Sequence, residues 1–388
     1  MTGVQTCALP ICGWFFLMAC EMFVLGNKDF RLPGLGSYLQ TAASAGDTRA
    51  IMWGVGTMIA VIVLMDQVVW RPVIAWAEKF KMEQVESADA PQSWFLDLIQ
   101  HSRGLIGLQR RTIRPVREWL ALRFARQHHS AERHSTQPAW KVWVGRLIAA
   151  LTVCAILYAI ARATGLMSQL TREEYRELLT GAFATFLRVL TALFIGALWT
   201  IPVGVAIGFN PRLARIAQPL AQIAASVPAT ALFPIVLLLL IKIGGGMGVG
   251  SILLLLLGTQ WYILFNVIAG AMAIPTDLKE AATLFQFTGS QRWRRLILPG
   301  IFPYLVTGMV TASGGAWNAS IVAEYFRLKD QTYTTVGLGA VISRASDAGN
   351  FALLLASTIV MAIIVVTINR LVWRRMYRLA AARYTLEV

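Results

Sequence analysis

The sequence predicts an all-α polytopic membrane protein, and three observations predict it. Hydrophobic residues make up 56% of the 388-residue chain and charged residues 14%, where soluble domains carry about 25% charged residues. Mean hydropathy is +0.59. Apolar runs recur along the chain, each near the roughly 20 residues that cross a hydrocarbon core. The third observation is where the basic residues stand. The net charge of +15 is concentrated between and after the apolar runs. That pattern fits membrane orientation rather than a phosphate-binding face, and it implies a lipid membrane and no nucleic acid as partner.

Residues 1–12, MTGVQTCALPIC, have no basic stretch leading into a long apolar one, so they do not read as a signal peptide. They look like translated adaptor sequence, a non-native prefix. From Gly13 the chain opens inside an apparent span, GWFFLMACEMFVLG, and after a loop crosses again from Ile51 to Val69. Residues 72–141 are rich in arginine and hold His101, His128, His129 and His134, but no run long enough to span. Adjacent side chains such as His128 and His129 diverge on a helix, which favours a solvated basic linker over a metal site. The four cysteines, Cys7, Cys12, Cys20 and Cys154, have no metal or redox spacing, so no disulfide, metal or cofactor is expected.

Six further spans are predicted at 142–165, 181–208, 227–243, 250–273, 300–323 and 351–373. Arg212 and Arg215, the loop at 277–295 and the tail from Arg370 to Arg383 are positive, whereas the turn at Gly244–Gly250 is uncharged. Six spans with both ends of this half in the cytoplasm satisfy the positive-inside rule. Pro228 and Pro234 are expected to kink the span at 227–243. Gln260 and Asn266, polar residues within a span, are expected to hydrogen-bond between helices. GGGMGVG at 244–250 lacks the lysine and Ser/Thr of a phosphate loop, so it is a turn.

The chain also repeats itself at a constant offset of 303 residues. Trp14 recurs as Trp317, Glu21 as Glu324, Phe23 as Phe326, Gly34-Leu35-Gly36 as Gly337-Leu338-Gly339, and Trp70-Arg71 as Trp373-Arg374. Repeats mark transporters built from two similar halves. Because six spans return the chain to its starting side, the two copies are parallel. Residues 13–71 then read as the C-terminal remnant of a first domain and 142–388 as a complete second one. On this reading the first copy is truncated.

One loop stands apart. DLKEAATLFQFTGSQRWRRLILPGIFP, Asp277 to Pro303, lies between two spans, is basic, and has helical propensity bounded by Pro275 and Pro299. Glu280-Ala281-Ala282 and Leu298-Pro299 resemble the EAA loop of binding-protein-dependent ABC importer permeases. That family's pattern is EAA, three residues, Gly, nine residues, Ile-x-Leu-Pro. The spacing holds, but the glycine position carries Gln286, the nearest glycine is Gly289, and Leu296 stands at the isoleucine position. With the repeat and PATALFP (228–234), the chain resembles the duplicated permease component of ABC-type anion importers, the nitrate, sulfonate, taurine and bicarbonate branch. The resemblance implies a type I importer (MetI-like) permease fold, an inner-membrane location, a separate dimeric cytoplasmic ATPase and a periplasmic or extracellular solute-binding protein. It implies no enzyme activity of the chain itself, and makes Glu280, Ala281, Ala282, Gly289, Leu298 and Pro299 the ATPase-coupling loop.

For the substrate pathway the residues offer Trp317, Asn318, Ser320 and Glu324 on the span ending at 323, and Arg188 and Lys242 as basic groups for an anion. Ionisable groups at membrane depth face a bundle interior or a pathway. Glu324 instead pairs with a basic residue if it lies in the interface, and a glutamate open to the pathway would repel an anion. Two other classes compete. An ion-coupled secondary transporter would use Glu324 and need no ATPase. A structural membrane subunit would have no pathway.

Overall fold

The computed structural model describes residues 21–25, 28–45, 47–70, 72–73, 139–328 and 331–384. The prefix, most of the span predicted from Gly13, and nearly all of the linker with its histidines lie outside the described residues. The chain divides into two compact units, residues 1–62 with 167–388, and residues 63–166.

In the second unit the main described element is α3 (Ala139–Met167), whose described side chains are nearly all exposed from Trp143 onward. A helix that is apolar all round and whose described side chains are nearly all exposed is suited to lipid.

The first unit begins with a short antiparallel hairpin, β1 (Met22–Leu25) and β2 (Lys28–Arg31), followed by α1 (Leu35–Ala45) and most of α2 (Thr48–Met65); the end of α2 and the π-helical turn that follows it, Asp66–Trp70, fall in the second unit. The predicted first span is therefore corrected at its end. Met22–Leu25 form a strand, because they pair with Lys28–Arg31 across a tight turn.

The core is built on α4 (Arg172–Phe209), α7 (Met247–Ala273) and α10 (Leu298–Ala323). The side chains of α7 are mostly buried, and α7 packs along both α4 and α10. Close approach depends on small residues, as at membrane helix interfaces generally. A Cβ on Gly208 of α4 would lie 2.8 Å from the Ile268 carbonyl, and one on Gly308 of α10 would lie 2.9 Å from that of Tyr262. Asn266 does not bridge helices, as the sequence led us to expect. Its Nδ2 donates to Tyr262 O of its own helix at 2.8 Å, a partner always within reach one turn back.

α4 starts nine residues before the predicted span. The Thr171 hydroxyl accepts from Glu174 N and the Glu174 carboxylate accepts from Thr171 N, a capping box that nucleates two polar turns hydropathy does not register. Asn210 then caps α5 (Pro211–Ser226) by accepting from Arg212 N and Leu213 N at 3.1 and 3.2 Å. The predicted span at 227–243 is realised only as α6 (Ala229–Lys242). Pro228 separates it from α5 rather than kinking one helix, and its 14 residues reach only about 21 Å. α6 closes on Gly244 at φ 81°. Six helices among the described residues are long and apolar enough to cross a membrane, and α6 is not one of them.

After α7 come α8 (Thr276–Leu284), α9 (Gly289–Arg292) and a π-helical turn at Trp293–Ile297 leading directly into α10. Pro299 therefore does not end the loop. It has no N–H for a regular helical bond, and the wider turn before it carries the helix through. A second hairpin, β3 (Tyr325–Leu328) and β4 (Gln331–Thr334), then leads to α11 (Leu338–Ala348), α12 (Phe351–Ile368), a π-helical turn at Asn369–Trp373 and α13 (Arg374–Arg383).

The bounds of β1, β2, α1, α2 and the first π turn, each increased by 303, are those of β3, β4, α11, α12 and the second π turn. Contacts between the two sets are reciprocal: α1 lies near β3, and α11 near β1.

Candidate functional site

Two places in the first unit gather the residues singled out in the sequence. The loop from Thr276 to Leu298 is one. On α8, Ala282 is buried with Leu296 and Ile297 in the main core, and Phe287 and Trp293 pack against that core. These anchor the helix and leave its other side free. Glu280 is exposed, and beside it Leu284 and Phe285 are 82% and 76% exposed. Lys279 and Arg292 both sit over the Phe209 ring, at 4.8 and 5.4 Å from its centroid. Burial first, and the charge of Arg292 second, hold the Lys279 ammonium below its ordinary range.

The bend after α8 shows how the loop turns without a glycine at the family position. Gln286 takes φ 51°, the only non-glycine residue with positive φ among the described residues. Its N–H donates to Thr283 O and that of Phe287 to Ala282 O, both at 3.0 Å. This is the paired arrangement that ends a helix on a left-handed residue, normally glycine. Gln286 thus does the glycine's work at the glycine's position, and Gly289 does not replace it. Gly289 opens α9 after the Thr288 cap, with open space where a side chain would stand. A left-handed non-glycine residue costs about 1–2 kcal/mol, so Gln286→Gly is expected to raise stability by roughly 1 kcal/mol. Slower proteolysis of the 276–298 loop in the purified chain would register it, and faster cleavage would refute the strain.

The second place is the end of α10. Glu324 is fully buried. Its carboxylate accepts from Thr185 Oγ1 at 2.8 Å, from Gly339 N at 2.8 Å and from Arg188 Nη1. Thr185 Oγ1 in turn accepts from Leu338 N at 2.8 Å. Arg188 Nη2 donates to Thr335 Oγ1 and to Val336 O. One carboxylate, with Arg188 beside it, thus ties α4, the end of α10, the segment between β4 and α11, and the first turn of α11, at the helix end where negative charge is favoured. It fits because Gly337 has no side chain: a Cβ there would collide with the Glu324 carboxyl. Glu21 is placed alike, accepting from Gly36 N and Ser37 N at 2.7 and 3.0 Å beside Gly34.

Known proteins share this part of the chain. Residues 200–385 match the family described as binding-protein-dependent transport system inner membrane component. The relatives include the bicarbonate transport system permease protein CmpB of Synechococcus elongatus, 29% identical over 42% of this chain and 63% of CmpB. The taurine transport system permease protein TauC of Escherichia coli is 30% identical over 47% of this chain and 62% of TauC. The chain therefore spans a little under two thirds of the length of these relatives. A chain of the MetNI methionine ABC transporter, in an inward-facing conformation, aligns at 22% identity with a TM-score of 0.46, over 54% of this chain and 99% of that one.

The residues predicted from the sequence separate into groups. Of the six assigned to the coupling loop, Glu280, Gly289 and Leu298 are exposed, Ala281 and Pro299 half-buried, and Ala282 buried. Of the pathway candidates, Trp317, Ser320 and Glu324 are buried in the protein while Asn318 is exposed on α10. Ser320 bonds its own helix, donating to Trp317 O. Arg188 is engaged by Glu324, the Thr335 hydroxyl and the Val336 carbonyl, so it is not an open anion site, and Lys242 is exposed at the end of α6. Sequence reasoning missed Thr185, Lys279 and Phe209. Thr185 carried one usable signal, its place one turn before Arg188 on the same helix face.

Proposed function

We propose that the chain is the permease subunit of an ATP-binding-cassette importer, moving a small anionic solute into the cytoplasm. A separate ATPase would drive alternating access, and a solute-binding protein outside would deliver the substrate. The observation that carries this reading is α8, a short helix fixed by Ala282 and Gln286 that presents Glu280, Leu284 and Phe285 to solvent. A rigid projecting helix with a charged residue among exposed apolar ones suits a soluble partner. The family of residues 200–385, and relatives named for bicarbonate, taurine, nitrate and aliphatic sulfonates, support an importer of small anions.

Glu280, Ala281, Ala282, Leu298 and Pro299 are then the coupling segment, with Gly289 opening the second short helix. Residues 13–71 and 142–388 are two parallel permease copies joined by the basic linker at 72–141, with 1–12 outside both. The matched element bounds and reciprocal contacts support the duplication. No catalytic group is required. Two partners bias the equilibrium between two packings of the same helices. The secondary-transporter reading loses its main residue, since the Glu324 carboxylate is committed to Thr185, Arg188 and the Gly339 amide.

Co-purification of the chain with candidate ATPase subunits tests the proposal. Wild type is expected to retain an ATPase, and Glu280→Arg to lose it by reversing the charge at the centre of the exposed face. Uptake driven by an ion gradient, with no ATPase bound by either form, would sink it.

A further inference from the structure

We infer that Lys279 and Arg292, around the Phe209 ring, form a binding site for the phosphate of an anionic phospholipid in the inner leaflet. Both cations lie within cation–π distance of one ring. Among the described residues neither pairs with a carboxylate, and Arg292 Nε is buried with no hydrogen-bond partner. Two like charges held together around one ring, one of them carrying an unused buried donor, lack an anion. Burial first, and the charge of Arg292 second, lower the affinity of Lys279 for its proton, and a bound phosphate would oppose both.

The depth of the site selects a lipid. Phe209 is the last residue of the span α4, where hydrocarbon gives way to headgroups. The next helix, α5, is two-faced. Ala214 packs with Ile207, Leu264 and Ile268, and Ala217 and Ala221 lie against the same cluster. Leu213, Ile216, Leu220 and Ile223 are exposed and recur at helical spacing along the other face. A helix of this kind lies in the membrane interface, where its apolar stripe meets acyl chains and nearby cations meet headgroups. Arg212 and Arg215 at its start, with Arg294 and Arg295, place the site on the positive and therefore cytoplasmic side. Basic pockets between spans on that side hold acidic lipid headgroups. A carboxylate of a soluble partner is the rival anion, and it would have to enter at headgroup depth.

The test is retention of phosphatidylglycerol by the full chain in zwitterionic nanodiscs doped with that lipid, with no ATPase present. It is therefore independent of the importer proposal. Lys279→Gln with Arg292→Gln is expected to weaken retention about 30-fold, from about fivefold for each cation near the surface. The swap Lys279→Arg with Arg292→Lys is expected to retain it and to guard against misfolding. Arg294→Gln with Arg295→Gln, exposed on the same loop, is expected to leave most of it. Equal loss in the two Gln pairs would reduce the effect to general surface charge and overturn the site. Displacement by millimolar inorganic phosphate would reassign it to a free anion, and unchanged lipid retention in Lys279→Gln with Arg292→Gln would leave no lipid at the site. Either overturns the lipid assignment.

Discussion

Arg188→Ala is expected to destabilise the chain by about 3–5 kcal/mol, the cost of leaving one member of a buried ion pair alone. The reason lies in what the pair replaces. Glu324 is fully buried, and without Arg188 its charge would be held only by the Thr185 hydroxyl and the Gly339 amide. The mirror variant Glu324→Gln leaves the Arg188 guanidinium, itself mostly buried, facing a neutral amide, and is expected to cost a comparable amount. The double variant Arg188→Met with Glu324→Gln is expected to recover a substantial part, since no buried charge remains and the Gln amide oxygen still accepts from Thr185 and Gly339. Apparent unfolding midpoints of the four forms in nanodiscs make the comparison. Additive losses in the double variant would refute the coupling. Glu21→Gln supplies an internal scale. That carboxylate also sits at a helix start, accepting from Gly36 and Ser37, but it is only half-buried, so its loss is expected to be about 1 kcal/mol.

Periodicity and charge made the large features legible in the sequence. The long spans, the basic loop between α7 and α10, and the spacing of Glu280 to Pro299 could all be read before any coordinates. So could the constant offset between Glu21 and Glu324, and the same offset separates the structural elements around them. What escaped was set by tertiary contact or by local hydrogen bonding. The hairpins at 22–31 and 325–334 are too short for a two-residue period to stand out beside a span. α4 begins at Arg172 because a capping box, not hydropathy, nucleates it. α6 is short because Pro228 divides it from α5. Arg188 and Glu324 were both visible, and a basic partner for Glu324 was anticipated. Their pairing across 136 residues was not, since no local pattern encodes it. The bend at Gln286 had the wrong residue for its conformation, and only the backbone could locate it.

Glycine substitutions are expected to separate protein-facing from lipid-facing helix surfaces by the sign of their effect. At Gly208 an added Cβ would stand 2.6 Å from Ala271 Cβ and 2.8 Å from the Ile268 carbonyl, and at Gly308 it would stand 2.9 Å from the Tyr262 carbonyl and 3.2 Å from Ile263 Cα. Most of these are backbone atoms of α7 or a Cβ fixed to it, so the helices must move apart and the contact along their length is lost. Overpacking of this kind costs about 1–3 kcal/mol and more when backbone must shift, and Gly208→Leu and Gly308→Leu are expected at the upper end. At Gly145 on α3 nothing lies within 4 Å of the added atom. There Gly→Ala removes only the helix penalty of glycine and is expected to stabilise by up to about 1 kcal/mol. Filling a glycine thus raises the unfolding midpoint at Gly145 and lowers it at Gly208 and Gly308. Equal effects at all three would mean that α7 is not wedged between α4 and α10. That wedge matters beyond stability: α8 leaves directly from the end of α7, so a force on the exposed face of α8 reaches the core helix most tightly held by its neighbours.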